Sequence, residues 1–228
     1  MTDAVLSAVP EATRVVLVRH GHVEGITPPR FRGQVDLPLT EHGLRQAKTT
    51  RDYLSCHFRP TTVYTSPLSR CVRTGQILAD PYGLSTRPLA AFTDIHYGAW
   101  QGRSFEEVQS DDPARFARWQ LTPHLTEIPG GESLSEVAAR VAGAMRMILA
   151  QHPGETILLV GHDSVNRVLL LLALELPLSR FWHLQQNPCA ISVLSHDDAR
   201  GWVIQCMDET AHLHRPLASS GRPAAQAS

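Results

Sequence analysis

Little in this sequence points to a metal centre or to disulfide bonds. Only four of the 228 residues are cysteines, and none of them forms a CxxC pair: Cys56, Cys71, Cys189 and Cys206. This spacing argues against the common zinc motifs and against a disulfide framework, and it predicts reduced structural thiols. The chain has twelve histidines, but no HExxH motif or Cys/His ligand spacing accompanies them. We therefore expect no metal and no cofactor.

Strong charge and long apolar runs are also missing. The formal net charge is -1 at pH 7, which gives no basic surface for nucleic acid or an anionic membrane. The longest apolar run, 168–174, is far shorter than the roughly 20 residues that span a bilayer. Residues 1–13 lack the basic-then-apolar order of a signal peptide. We expect a cytoplasmic protein with no nucleic-acid partner and no membrane partner.

The chain does contain a regular alternation of strand and helix patterns. Apolar, β-branched runs predict strands at 14–18, 62–65, 156–160, 190–195 and 202–207. Capping residues and amphipathic spacing predict the intervening helices at 40–57, 67–79, 133–149 and 163–176. The alternation indicates an α/β fold, a three-layer α/β/α sandwich with a central, mostly parallel sheet.

The domain organisation follows from the same patterns. We predict one domain over residues 1–213. Within it, 92–132 has no strong strand pattern and is expected to form a helical insertion or lid, with a capping-box spacing at Ser104. Residues 214–228 are rich in Pro, Ala, Ser and Gly and are predicted to be a disordered tail.

Basic side chains follow two of the predicted strands at the point where each strand ends. Arg19 and His20 follow the first strand, and His162 follows the strand at 156–160. Ligands of open α/β sheets bind at the carboxyl ends of the strands, so these residues should share one edge of the sheet. Arg70 lies at the start of a helix that follows another strand. Two guanidiniums can bind phosphate oxygens, and a neutral imidazole can attack phosphorus.

Seven segments carry a family resemblance, in order along the chain: 17–21 (LVRHG), 36–47 (DLPLTE with Gly43 and Gln46-Ala47), 66–74 (SPLSR with Thr74), 96–102 (HYG and WQG), 129–133 (PGGES), 161–162 (GH) and 210–213 (TAHL). With these segments the chain resembles the histidine phosphatase superfamily, the phosphoglycerate-mutase-like proteins of the Arg-His-Gly branch, from about residue 14 to 213.

The resemblance implies a role for each matched residue. His20 would be the nucleophile that carries a phosphohistidine, and Arg19, Arg70 and His162 would hold the phosphate. The family's general acid is usually a glutamate; here Asp94 holds that position, with a side chain one methylene shorter. Its pKa would have to be raised for it to donate a proton at neutral pH.

The loop after His20 departs from the family pattern. Val23 and Ile26 stand where polar contacts to the outer phosphate oxygens are common. Arg30 and Arg32 follow closely, and positive charge there would suit a second anionic group of the substrate. We include Arg32 among the expected substrate-binding residues.

These expectations describe a metal-independent phosphatase that hydrolyses monoesters of a small phosphorylated metabolite by double displacement. Three alternatives stay open from the sequence. One is phosphoglycerate mutase-type transfer through the same His20. Another is a non-catalytic phosphate-binding module, motivated by Asp94, Val23 and Ile26. The third is a metal-dependent hydrolase. The sequence also leaves the oligomeric state open, with a homodimer as one alternative.

Overall fold

A six-stranded sheet forms the centre of the computed structural model, which describes residues 12–214. The strands are β1 (Thr13–Arg19), β2 (Thr62–Thr65), β3 (Thr86–Pro88), β4 (Thr156–Gly161), β5 (Ile191–Asp197) and β6 (Gly201–Glu209). Their spatial order is β3-β2-β4-β1-β5-β6. The first four run parallel, and β5 and β6 are antiparallel additions at one side. The predicted mostly parallel sheet is confirmed.

Seven α-helices connect and cover the strands within the described residues. They are α1 (Glu41–His57), α2 (Ser69–Ala79), α3 (Phe105–Asp111), α4 (Pro113–Leu121), α5 (Leu134–Gln151), α6 (Asp163–Ala173) and α7 (Ala211–His214). Short 3-10 turns lie between them. None of the helices in this part of the chain has both the length and the apolar character needed to cross a membrane.

The alternation of side chains along β1 and β4 explains the three layers. Both strands are almost wholly buried. Val15 and Leu17 join a core that also contains apolar residues of α5 and α6. Val16 and Val18 point to the other face, in a core with residues of α1 and α2. Because successive strand residues face opposite sides, the sheet is covered on both faces, as predicted.

Three helix ends differ by two residues or more from the sequence prediction, one of them the end of α5, which lies at Gln151 instead of 149. Pro67 does not open α2, which begins at Ser69, because Leu68 has an extended backbone (φ -68°, ψ 140°). The free N–H groups at this helix start bond to side chains, Ser69 N–H to Asp36 Oδ1 and Leu68 N–H to Ser66 Oγ. Helix α6 ends at Ala173 instead of 176. Glu175 adopts a positive φ of 54°, a left-handed conformation that stops a helix.

The predicted helical insertion contains α3 and α4 and has no strand among its residues 92–132, all of which are described. Both helices have side-chain caps: Ser104 forms a complete capping box for α3, and Asp112 caps α4 ahead of a first-turn proline. Aromatic rings fix the insertion to the loop after β1. Phe31 stacks on Phe105 at 4.4 Å between ring centroids and contacts Trp100 at 4.9 Å. This packing holds the insertion against the loop that follows β1.

Candidate active site

The register of β1 and β4 brings the two predicted histidines together. Arg19 pairs with Gly161 at the ends of these strands, so His20 and His162 leave the sheet side by side. The backbone N–H of His20 donates to Gly161 O at 3.0 Å. The two rings meet edge to face with 5.2 Å between centroids, and both side chains are buried. The expectation that both histidines share one edge of the sheet is correct.

The hydrogen bond of His20 determines which ring nitrogen is free. Nδ1 lies 2.7 Å from the carbonyl oxygen of Gly21. A carbonyl only accepts, so Nδ1 carries the proton and Nε2 keeps its lone pair. Burial lowers the pKa of His20 well below its ordinary value, and the positive charges of Arg70 and Arg19 lower it further. His20 therefore presents a neutral, unprotonated Nε2.

Both nitrogens of His162 contact protein groups. Arg70 Nε lies 3.3 Å from Nδ1, and since a guanidinium only donates, Nδ1 is the acceptor. The proton then resides on Nε2, which lies 2.7 Å from Ser66 Oγ. The pKa of His162 is lowered well below its ordinary value, first by burial and next by the charge of Arg70. To donate to a phosphate oxygen, Nε2–H must exchange its Ser66 partner for the ligand.

Arg19 and Arg32 keep most of their hydrogen-bonding capacity free. Each makes one side-chain hydrogen bond within the described chain, Arg19 to Gln186 O and Arg32 to Gly25 O. The Nε atoms of both guanidiniums are buried without a partner there. Both positive charges act in the direction that lowers the pKa of His20, with Arg19 the larger of the two. An anion placed beside His20 would satisfy these donors.

Arg70, predicted to hold phosphate, also makes several hydrogen bonds within the protein. A guanidinium has five N–H donors, and Arg70 uses four: Nε to His162, Nη1 to Val35 O, and Nη2 to both Gly33 O and Asp94 Oδ2. Its side chain is fully buried. One N–H remains for a phosphate, so most of its contacts hold other parts of the site in place.

Asp94 lies within this cluster. Its Oδ2 is 3.3 Å from Arg70 Nη2 and 3.6 Å from His162 Nδ1, and its side chain is only 9% exposed. Burial raises the pKa of Asp94, although the charges of Arg70 and Arg32 act in the opposite direction. A carboxyl group with a raised pKa keeps its proton to higher pH than an exposed one, which is the property a general acid needs.

The loop between β1 and α1 separates the two arginines that the sequence grouped together. Arg30 is exposed, donates to Gly102 O and lies 3.9 Å from Glu107. It therefore ties the loop to the insertion.

The apolar Val23 in this loop, where the family commonly has a polar residue, has a structural cause. Its side chain is completely buried and belongs to the hydrophobic core.

Several residues of the site were not singled out by the sequence reasoning. Thr74 Oγ1 accepts from the N–H of Gly21 at 3.2 Å, and Gln34 donates to the carbonyl of Asp94 at 3.0 Å. Thr74 lies within the matched segment 66–74, which could have indicated that it belongs to the site. Gln34 lies in an irregular loop, where no periodic pattern marks a contact. In the described part of the chain, no group of three or more His, Cys, Asp or Glu side chains could hold a metal ion.

Comparisons of the sequence and of the fold with known proteins find the same superfamily that the sequence motifs resemble. The sequence model of the histidine phosphatase superfamily (branch 1) matches residues 15–210. Phosphoserine phosphatase 1 of Hydrogenobacter thermophilus is 32% identical over 200 residues, which cover 88% of this chain and 94% of that protein. A probable phosphoglycerate mutase GpmB of Yersinia pestis is 30% identical over 207 residues, or 89% and 96% of the two chains. The solved structure of Bacillus stearothermophilus YhfR superposes with a TM-score of 0.83 at 27% identity, over 89% of this chain and all of that one.

Proposed function

Because the chain belongs to the histidine phosphatase superfamily, we propose that it is a metal-independent phosphatase in which His20 attacks the phosphorus of a phosphate monoester. Nε2 of His20 forms an N–P bond as the P–O bond to the leaving group breaks. Asp94 gives its proton to the departing oxygen. Water then attacks the phosphorus of the phosphohistidine as the N–P bond breaks, Asp94 takes a proton from that water, and inorganic phosphate leaves His20 free.

The observation that carries this proposal is the tautomer of His20. Its Nδ1 proton is held by Gly21 O at 2.7 Å, so the opposite nitrogen is available for in-line attack. Arg19, the neighbour of His20 in the sequence, and Arg32 each have a buried Nε without a partner among the described residues, and such donors would suit the non-bridging oxygens of a phosphoryl group. Preorganised donors of this kind stabilise the charge that develops in the transition state.

We also propose that the substrate carries a second anionic group beside its phosphate. A relative is named phosphoserine phosphatase, and such a substrate pairs a phosphate with a carboxylate. The guanidinium of Arg32 has a buried Nε without a partner among the described residues, so it is available to pair with a second anionic group. We therefore place the substrate among small phosphorylated metabolites with a second anionic group, used in the cytoplasm.

Hydrolysis of p-nitrophenyl phosphate in excess chelator tests the proposal. We expect turnover in the wild type and none in His20→Ala. His57→Ala is a matched control, because His57 is an exposed histidine on α1, and it should retain full activity. Acid-labile phosphate should be trapped on the wild-type protein and be absent from His20→Ala. Loss of turnover on chelation would favour a metal-dependent hydrolase, and absence of both turnover and trapped phosphate would favour a phosphate-binding module.

Phosphoglycerate mutase activity is a second candidate because one relative is named a probable mutase. The two activities share the phosphohistidine and differ in its acceptor, which is water in one case and a sugar acid in the other. Incubation with 3-phosphoglycerate separates them. A phosphatase releases inorganic phosphate, whereas a mutase yields the isomeric phosphoglycerate with little free phosphate.

A further inference from the structure

The segment that carries Asp94 has little regular structure to hold it. A 3-10 turn at Ala90–Phe92 precedes it, and the next helical turn begins at Gly98. The Asp94 carboxyl group has one local partner, the N–H of Ile95, at 3.0 Å from Oδ1. Apart from the contact of Oδ2 with Arg70, the position of the carboxyl group therefore depends on what fixes the backbone on either side of it.

A single side chain from α5 reaches this backbone. Arg140 Nη1 donates to Ala91 O at 2.7 Å and to Thr93 O at 2.8 Å, and Nη2 approaches Asp94 O at 3.5 Å. The remaining N–H groups make a two-point ion pair with Glu132, Nε to Oε1 at 2.9 Å and Nη2 to Oε2 at 3.0 Å. All five N–H donors of Arg140 are used.

Glu132 hydrogen-bonds to the backbone on the other side of Asp94. Its Oε2 accepts from the N–H of His96 at 2.9 Å, and its own N–H donates to His96 O at 2.8 Å. The ion pair is largely shielded, with 21% of the Arg140 side chain and 25% of Glu132 exposed. The backbone is thus held at 91, 93 and 96, on both sides of Asp94.

We propose that Arg140 and Glu132 are positioning residues that set the place of the Asp94 carboxyl group for proton transfer. The inference rests on the proposed function. Asp94 has a short side chain with few rotamers, so its reach is set by its backbone. Proton transfer requires hydrogen-bond distance to the leaving oxygen, and a displacement of about 1 Å costs on the order of 100-fold in rate. Among the described residues, neither side chain hydrogen-bonds to Arg19, His20 or His162, so any effect on the reaction would pass through Asp94.

The dependence of rate on the leaving group tests this role. The dinitrophenolate of a 2,4-dinitrophenyl phosphate leaves without protonation. The alkoxide of an alkyl phosphate such as phosphoserine must be protonated by the general acid as it leaves. We would compare kcat/KM on both substrates for Arg140→Gln, Arg140→Lys and Glu132→Gln. We expect the alkyl ester to lose on the order of 100-fold and the dinitrophenyl ester less than about 10-fold, since general acid catalysis contributes roughly 100- to 10,000-fold. Asp94→Asn provides the reference, with the same selective loss in a stronger form.

Arg146→Gln is the matched control, because Arg146 is an exposed arginine on the same helix beside a separate cavity. It should change neither rate. Equal losses on the two substrates in the Arg140 and Glu132 variants would overturn the inference, as would unchanged rates. If Arg140→Gln fails to fold by circular dichroism, Arg140→Lys decides, because an ammonium keeps the charge but cannot span the carboxylate and the carbonyls. Absence of wild-type turnover would instead refute the proposed function.

Discussion

A close backbone contact behind His20 gives a sharp test of how the site is built. Gly21 and Gly43 face each other where the loop after β1 crosses the start of α1. A Cβ atom on Gly43 would lie 2.2 Å from His22 O and 2.7 Å from His22 N. Ordinary contacts between such atoms are roughly 3.5 Å, and backbone cannot rotate away as a side chain can. Gly43→Ala therefore has to displace His22 and its neighbours by about 1 Å.

Two opposing effects determine the size of the stability change. Overpacking of this kind costs about 1 to 3 kcal/mol, and replacing a helical glycine by alanine returns at most about 1 kcal/mol. We expect a net loss of about 1 to 2 kcal/mol. Activity should fall more, because Gly21 O holds the proton of His20 Nδ1. A displacement of about 1 Å there predicts a loss of on the order of 100-fold in kcat.

Urea unfolding and p-nitrophenyl phosphate hydrolysis measure the two effects. Gly143→Ala is the control, since Gly143 lies inside α5 and a Cβ there meets nothing within 4 Å. This variant should be fully active and more stable by up to about 1 kcal/mol. If Gly43→Ala matched the wild type in both assays, the reasoning about this contact would be wrong.

Two further predictions concern charge. Arg19→Gln and Arg32→Gln should each raise KM by about 10- to 100-fold, because each removes a charge-assisted hydrogen bond to the phosphate. Arg30→Gln removes an exposed ion pair with Glu107, so its KM should stay within about 2-fold of the wild-type value. Equal effects in all three variants would contradict the separation of Arg30 from the site. The lowered pKa values of His20 and His162 mean that the unfolded chain binds their protons first, so their contribution to the free energy of unfolding should decline as pH falls below about 6.5. Urea unfolding of the wild type and His162→Gln at neutral and acidic pH checks this, and an unchanged pH dependence in the variant would count against it.

Local signals in the sequence were sufficient to predict much of the fold. The runs at 14–18 and 156–160 are apolar on both faces and rich in β-branched residues, which is typical of covered parallel strands, and both strands are found. The capping boxes at Ser104 and Ser133 start helices as predicted. Strand β3 was missed because it has only three residues, is largely exposed and ends in proline, a composition that carries no strand signal.

Contacts between distant segments account for what the sequence could not predict. The prediction that Arg70 holds phosphate did not include its bonds to Gly33, Val35, Asp94 and His162, which come from three separate segments of the chain. The hydrogen bonds of Arg140 join α5 to the backbone around Asp94, which lies 46 residues earlier in the sequence. Neither contact has a spacing pattern, because each depends on where whole elements meet.

The shared position of Arg70 and Asp94 predicts a coupling between anion binding and protonation. In the free protein Asp94 Oδ2 lies 3.3 Å from Arg70 Nη2, and this positive charge opposes the rise in the pKa of Asp94 that burial causes. A bound dianion places negative charge beside the carboxyl group and raises its pKa further. Binding should therefore take up a proton and leave Asp94 in the acid form that leaving-group protonation requires.

Sulfate is a suitable probe for this coupling, because it remains a dianion throughout the relevant pH range. Calorimetry of sulfate binding in buffers with different ionisation enthalpies measures the proton uptake. We expect uptake in the wild type and a smaller value in Asp94→Asn, where only the histidines can contribute. Equal uptake in the two proteins would show that Asp94 does not respond to the anion, and its protonation would then have to be complete before the substrate binds.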